Sequence, residues 1–168
     1  LAIGAYRQTY HMIPQLWTAG RQVIDAIAKN QTCEFGNGVV QVHGSKGILL
    51  PNGLYQKYPG LRIMLNDEGR HQYVYDNRKG VTKLYGGKLV ENVCQALARC
   101  IIVEQMLRIA KKYRPVLTVH DAIACIAPEQ EADEAMAYVM ECMSWTPDWA
   151  KGLPVACEAG YGKSYGDC

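Results

Sequence analysis

The sequence lacks the features that mark membrane-embedded and secreted proteins. No apolar run approaches the roughly 20 residues that a membrane helix needs, and no signal peptide is visible at its start. The seven cysteines are an odd number and include no C-x-x-C pair. We therefore interpret them as reduced thiols and expect a protein of the cytoplasm that does not interact with membranes.

The sequence also has little net charge. Its 168 residues carry a formal charge of +2, which neither indicates nor excludes nucleic acid, because a basic groove can lie on a nearly neutral protein. With 49% hydrophobic and 20% charged residues, the composition is typical of a globular protein with one sizeable core. The chain opens on Leu1 within a helical pattern, so we expect it to be part of a longer polypeptide.

Residues 117–126 combine two apolar, strand-like runs with an adjacent histidine and aspartate, His120 and Asp121. A period of two predicts that Asp121 lies on the same side of an extended segment as Leu117, Val119, Ile123 and Cys125. A carboxylate in apolar surroundings costs several kcal/mol to desolvate. The sequence therefore leaves two interpretations open for Asp121, a metal ligand or an aspartate that caps a tight turn.

The remaining pattern predicts an α+β fold. Apolar residues at helical spacing indicate helices within residues 1–30, 88–113 and 129–143. The aromatic residues of the first helical segment, Tyr6, Tyr10 and Trp17, are interpreted as core residues. Short strands are predicted at 39–42, 48–50, 61–65, 73–76 and 155–158, separated by glycine-rich turns.

The long helix predicted at 88–113 carries a polar stripe. Glu91, Gln95 and Arg99 recur at a spacing of four residues, with Lys88 and Asn92 beside them. This stripe is either ordinary helix surface or a row of groups that reads hydrogen-bond acceptors on a ligand.

Three stretches together resemble the C-terminal part of family A DNA polymerases, particularly those of bacteriophages and prophages. Val119-His120-Asp121 resembles the third polymerase motif, a hairpin that reads His-Asp-Glu. Residues 84–99, with Glu91-Asn92 followed by Gln95, resemble the long palm helix before that motif. Residues 149–158 and 162–166 are similar to the C-terminus of the phage branch. Residues 1–65 are more loosely similar to the end of the fingers and its return to the palm.

The resemblance implies an antiparallel palm sheet with a central β-hairpin, packed against long helices. It assigns residues 1–50 to the end of the fingers and 51–168 to the C-terminal part of the palm. The implied activity is template-dependent DNA synthesis from dNTPs on a template-primer, with Mg²⁺ as cofactor. The implied location is the cytoplasm of a bacterial or phage-infected cell.

The resemblance also implies roles for single residues. Asp121 is expected to be one of two aspartates that hold divalent metal ions, and His120 to lie near the backbone of the primer end. Gln95 is expected to donate to the minor-groove acceptors of the terminal base pairs. Glu91, Asn92 and Arg99 lie on the same helical face and are assigned to DNA binding with it.

Two departures from the family pattern set the limits of this interpretation. Ala122 stands where the motif has glutamate. The second metal-binding aspartate and the fingers helix that holds the incoming nucleotide have no match in the sequence. Because two-metal chemistry needs carboxylates from two strands around ions ~4 Å apart, we expect this chain alone to bind metal poorly and to lack polymerase activity. We expect it to need the missing N-terminal portion.

Two other classes of function remain open from the sequence. One is a small metal-dependent phosphodiesterase or nuclease built on Asp121 with Asp76 or Glu158. The other is a non-catalytic module for DNA binding or assembly, whose binding would be salt-dependent and independent of Asp121.

Overall fold

A computed structural model describes residues 2–167, and the chain forms two compact units with the boundary between residues 97 and 98. The helices and strands follow in chain order: α1 (Ala2–Thr9), α2 (Met12–Ala28), β1 (Thr32–Phe35), β2 (Val40–His43), β3 (Ile48–Leu49), β4 (Tyr55–Gln56), β5 (Arg62–Leu65), β6 (His71–Asn77), β7 (Gly80–Leu84), α3 (Gly86–Ile109), β8 (Arg114–Val119), β9 (Ala122–Ile126) and α4 (Ala132–Ser144). The mixture of helices and antiparallel sheets confirms the predicted α+β class.

Helix α2 anchors the first unit. Pro14 is its third residue, a position in the first turn where the missing N–H has no helical partner to lose. One face of the helix is buried, with Gly20, Val23, Ile24, Ala26 and Ile27.

Helix α1 differs from this pattern because it buries none of its residues. Tyr6 and Tyr10 are exposed and lie against each other, with ring centroids 5.1 Å apart. The prediction that both belong to a core is therefore wrong. Trp17 of α2 is half-buried and packs against the core, as predicted.

The strands of the first unit form two antiparallel sheets. One has the order β1-β2-β3-β4, and the other has the order β5-β6-β7. The strands predicted at 39–42, 48–50, 61–65 and 73–76 are present, but β1, β4 and β7 are not predicted from the sequence. β1 is the short sequence Thr-Cys-Glu-Phe and β7 begins at Gly80 and contains Lys83, so neither has a run of β-favouring apolar residues.

Two glycines let α2 and α3 approach closely. A Cβ atom on Gly86 would overlap the carbonyl oxygen of Trp17 and would lie 3.0 Å from the backbone nitrogen of Arg21. A Cβ atom on Gly20 would lie 2.7 Å from the carbonyl oxygen of Gly86. The start of α3 is therefore fixed against α2 by backbone contact, next to a core that includes Ile24, Leu84 and Leu89.

Helix α3 is 24 residues long and runs from the first unit into the second. It begins two residues before the predicted start and ends at Ile109, four residues before the predicted end, because residues 110–113 form turns that lead into β8.

The second unit contains the end of α3, the β8-β9 hairpin and α4. Its core cluster includes Ile109, Tyr113, Ala135 and Cys142. Buried Gln105 donates from Nε2 to the carbonyl oxygens of Met143 and Trp145, at 2.6 and 2.9 Å. These bonds satisfy carbonyl groups where α4 ends.

The final strand predicted at residues 155–158 is wrong. These residues are irregular and pair with no strand in the described part of the chain. Cys157 instead contacts the carbonyl oxygen of Met140 through its Sγ, at 3.5 Å.

Within residues 2–167 no helix is both long enough and apolar enough to cross a membrane.

Candidate functional site

The predicted hairpin is present, and the His-Asp pair forms its turn. Val119 pairs with Ala122 in the antiparallel register, so His120 and Asp121 are the two residues of a tight loop. His120 has a φ of 54°, in the left-handed region that the first position of a type I′ or II′ hairpin turn requires. Glycine or asparagine normally occupies such a position. The fold therefore holds a histidine in a conformation that costs roughly 1–2 kcal/mol.

The turn changes the predicted arrangement of side chains. Because two loop residues reverse the chain, Thr118 pairs with Ile123 while Leu117 pairs with Ala124. Ile123 is half-buried, whereas Leu117 is 44% exposed. The prediction that Leu117, Val119, Ile123 and Cys125 lie with Asp121 on one side of the segment is wrong.

Asp121 lies in solvent and not among apolar groups. Its side chain is exposed, and it makes no hydrogen bond or ion pair with any residue that the structure describes. Desolvation therefore does not decide its role. The carboxylate is displayed at the tip of the hairpin with its lone pairs available to a ligand.

A metal site is not complete within this chain. Among residues 2–167, no group of three or more His, Cys, Asp and Glu side chains lies close enough together to hold a metal ion. Ala122, which follows Asp121, offers no ligand atom. His120 and Asp121 are the possible ligands in the hairpin turn, and the described residues do not by themselves fit a two-metal site.

Asp76, which the nuclease interpretation combines with Asp121, is bound to Arg62. Both carboxylate oxygens of Asp76 accept hydrogen bonds from Nη1 of Arg62, at 2.9 and 3.0 Å. Asp76 belongs to the first unit and Asp121 to the second. Glu158 is exposed in the second unit and lies in the irregular segment after α4.

The polar stripe of α3 is present as a chain of side-chain contacts. Lys88 donates from Nζ to both carboxylate oxygens of Glu91, each at 3.0 Å. This hydrogen bond raises the pKa of Lys88 above its ordinary value. Nε2 of exposed Gln95 lies 3.4 Å from Oε1 of Glu91. The amide of Gln95 therefore has only a long, weak bond to give up if a ligand arrives.

Asn92 has a structural contact as well as a surface position. It is half-buried and donates from Nδ2 to the hydroxyl oxygen of Tyr58, at 3.3 Å. Gln56 donates to the same hydroxyl at 3.2 Å. Burial raises the pKa of Tyr58 to about 12, although the hydrogen bond from Asn92 lowers it in part.

The six predicted site residues fall in two units. Glu91, Asn92 and Gln95 lie together on α3 in the first unit, while Arg99 lies further along α3 in the second. His120 and Asp121 also belong to the second unit. The structure thus brings the three helix residues together in one group and the two hairpin residues together in another.

The sequence did not predict a cleft at the start of α3. Its volume is about 500 Å³, and its lining residues are Arg7, Trp17, Tyr85, Gly86, Gly87 and Glu91. Trp17 is predicted as a core residue and Glu91 as a residue of the polar stripe, and neither prediction indicates a cleft. Because the lining comes from three separate segments, only the packing of α1, α2 and α3 reveals it.

Comparison with known proteins supports the predicted resemblance. The chain is similar to the DNA polymerase of Bacillus phage SP02, with 30% identity over 169 residues. The match covers 93% of this chain and 25% of that polymerase, so the chain spans about a quarter of the length of its relative. No family model matches the sequence, and no solved structure matches the fold. The resemblance to a phage DNA polymerase is confirmed, while the subdomain boundaries and the roles of the site residues stay predictions.

Proposed function

We propose that this chain is the C-terminal part of a family A DNA-directed DNA polymerase of the phage type. The observation that carries the proposal is the extent of the similarity, which covers 93% of the chain and is not confined to a short motif. In this assignment residues 1–50 are the end of the fingers and residues 51–168 are part of the palm.

The hairpin carries the catalytic part of the proposal. Asp121 would hold Mg²⁺ together with carboxylates from the rest of the polymerase. Two divalent ions bound there would activate the attacking primer hydroxyl and stabilise the leaving pyrophosphate. The chain's own contribution is positional, since a two-residue turn between paired strands places Asp121 at the tip of the hairpin. His120 is held beside it, toward the primer backbone.

The polar stripe of α3 carries the DNA-binding part. Gln95 donates from its amide to the acceptors that every correct base pair presents in the minor groove. Lys88 neutralises Glu91, and the long contact of the Gln95 amide with Glu91 leaves that amide free to turn toward the DNA. Asn92 keeps its carbonyl oxygen for a ligand while its amide nitrogen binds Tyr58. Arg99 extends the stripe toward the DNA backbone.

Primer extension tests this proposal. The chain is assayed with Mg²⁺, dNTPs and a template-primer, both alone and with a supplied N-terminal polymerase portion that carries the missing motifs. We expect extension only in the mixture, because Asp121 is one ligand of a site that two polypeptides complete. Extension by the chain alone would contradict the proposal, and so would a mixture that associates without extending the primer.

The charge distribution favours a second candidate, a non-catalytic DNA-binding module. Residues 2–97 contain eleven Lys and Arg against six Asp and Glu, a net charge of +5 that the overall value of +2 conceals. Residues 98–167 carry a net charge of −3. A mixture that binds DNA but does not extend the primer would support this candidate.

A further inference from the structure

The cleft at the start of α3 has two aromatic rings beside a glycine. A Cβ atom on Gly87 would lie 3.4 Å from Cε2 of Tyr85 and 3.5 Å from Cδ1 and Nε1 of Trp17. Both rings therefore lie within contact distance of a side chain added at Gly87. Trp17 is fixed by its packing against the core, whereas Tyr85 is 51% exposed. The cleft thus offers a rigid ring and an accessible ring next to open space.

The charge at the cleft is positive. Arg7 is exposed and has no hydrogen-bond or ion-pair partner within residues 2–167. Glu91 is the acidic residue of the lining, but both of its carboxylate oxygens accept hydrogen bonds from Lys88. The guanidinium of Arg7 is therefore available to an anionic ligand. The surrounding unit adds a net charge of +5, which favours polyanions over isolated neutral molecules.

We propose that this cleft binds one nucleotide unit of single-stranded DNA. The base stacks on the exposed ring of Tyr85 next to Trp17, and the adjoining phosphate binds Arg7. Aromatic stacking and a cationic groove are the two elements by which proteins hold unpaired strands without reading their sequence. The choice of DNA rests on the proposed function, in which an unpaired strand must lie near the duplex contacted by Gln95.

The cleft also fits this ligand in size and position. A volume of about 500 Å³ is within the range of small-molecule pockets and admits a single nucleotide but not a base pair held in a duplex. Glu91 belongs both to the cleft and to the polar stripe of α3. The cleft therefore adjoins the polar stripe within the same unit. A DNA strand that extends beyond the base pair contacted by Gln95 would reach the two aromatic rings.

Tryptophan fluorescence tests the proposal on the complete chain. The probe is a short oligo-dT strand, and the comparison ligand is a duplex of equal length. We expect the single strand to quench the emission and to bind more tightly than the duplex. Trp17→Phe should abolish the quenching while Trp145 and Trp149 of the second unit continue to emit. Quenching that persists in Trp17→Phe would overturn the proposal.

Four variants separate the effect of stacking from an effect on folding. Tyr85→Ala should weaken single-strand binding about tenfold, whereas Tyr85→Phe should retain it because the ring remains. The matched control is Tyr165→Ala, which removes a tyrosine of similar exposure from the second unit and should leave binding unchanged. Gly87→Leu, which places a side chain between the rings, should weaken binding like Tyr85→Ala. Equal affinities of Tyr85→Ala and Tyr165→Ala would overturn the proposal, provided both variants show the wild-type circular dichroism spectrum.

The contribution of Arg7 is measured by salt dependence. Arg7→Ala should reduce the slope of log affinity against log salt by about 0.7, the value for one phosphate contact on a single strand. Lys163→Ala, in the second unit, is the control and should leave the slope unchanged. These titrations contain no primer extension, so the cleft can fail while the polymerase assignment stands. Conversely, strand binding at the cleft can persist in a chain that never supports extension.

Discussion

At the scale of the residue, His120 joins local strain to the proposed site. It has a positive φ at the tip of the β8-β9 hairpin, where glycine would be favoured. Asp121 follows it and is exposed. The conformation of His120 therefore lowers the stability of the hairpin at the position that the polymerase proposal assigns to the primer end. Such backbone strain is common at functional sites.

Replacing His120 with glycine should stabilise the chain. His120→Gly removes the unfavourable left-handed conformation of a residue that has a Cβ, so we expect the free energy of unfolding to rise by about 1 kcal/mol. Urea denaturation measures this change. His120→Ala keeps the Cβ and is the control, for which we expect no gain. A loss of stability in His120→Gly would show that the imidazole stabilises the fold.

Tyr58 should make stability depend on pH in the alkaline range. Burial raises its pKa from the ordinary value of 10 to about 12. The folded chain thus keeps a proton that the unfolded chain releases between these values. Stability is fully present below pH 10 and falls as the pH rises toward 12, by about 2–3 kcal/mol. Urea denaturation across pH 9–12 should show this fall, and Tyr58→Phe should show a shallower one. Equal slopes would contradict the buried hydroxyl.

At the scale of the element, the pattern of apolar residues predicts which faces of helices and strands are buried. It does not predict which strands pair. The buried face of α2 and strands such as β2, with Val40 and Val42, follow from their sequences because each has apolar residues at the required period. The strand predicted at residues 155–158 had the same local pattern but finds no partner strand among the described residues. Pairing is a tertiary property that a short apolar run does not specify.

The site shows the same limit. The presence of the hairpin and of the polar stripe on α3 can be predicted from the sequence, since both are local patterns. The side of the hairpin on which Leu117 and Val119 lie cannot be predicted from the sequence. The turn has histidine at its positive-φ position, where glycine or asparagine would have indicated a turn. The cleft formed by Arg7, Trp17 and Tyr85 depends on helix packing across about 80 residues of sequence.

Packing of α2 against α3 should depend on Gly86. An added Cβ there meets the backbone of Trp17 and Arg21, which cannot move aside as a flexible side chain could. We expect Gly86→Ala to lower the free energy of unfolding by about 3 kcal/mol or more. Gly87→Ala is the control, since its added Cβ has neighbours at ordinary contact distances of 3.4 and 3.5 Å. Thermal and urea denaturation compare the two. A Gly86→Ala variant as stable as Gly87→Ala would contradict the close approach.

At the scale of the whole molecule, the charge asymmetry supports the proposal that DNA binds to the first unit. The basic first unit has a net charge of +5 and the acidic second unit a net charge of −3. The second unit also carries Asp121, whose carboxylate repels phosphate unless a cation is present. The proposed polymerase thus separates strand binding, which is electrostatic, from metal binding, which needs a completed donor set.

DNA binding by the isolated chain should therefore be salt-dependent and independent of Asp121. We expect its affinity for DNA to fall steeply with added salt, since each released phosphate contact contributes to the slope. Asp121→Ala should bind without added metal at least as tightly as the unmodified chain. Fluorescence anisotropy with labelled DNA measures both effects. Weaker binding by Asp121→Ala would place Asp121 in the DNA contact itself.

The central claim is that Asp121 is a metal-binding residue of a polymerase completed by another polypeptide portion. The most direct test is primer extension by the assembled mixture with Asp121→Asn, which keeps the size of the side chain and removes its charge. Asp67→Asn changes an exposed aspartate in the turn between β5 and β6 and is the matched control. We predict that Asp121→Asn abolishes extension while Asp67→Asn retains it. Extension at the unmodified rate in Asp121→Asn would contradict the account.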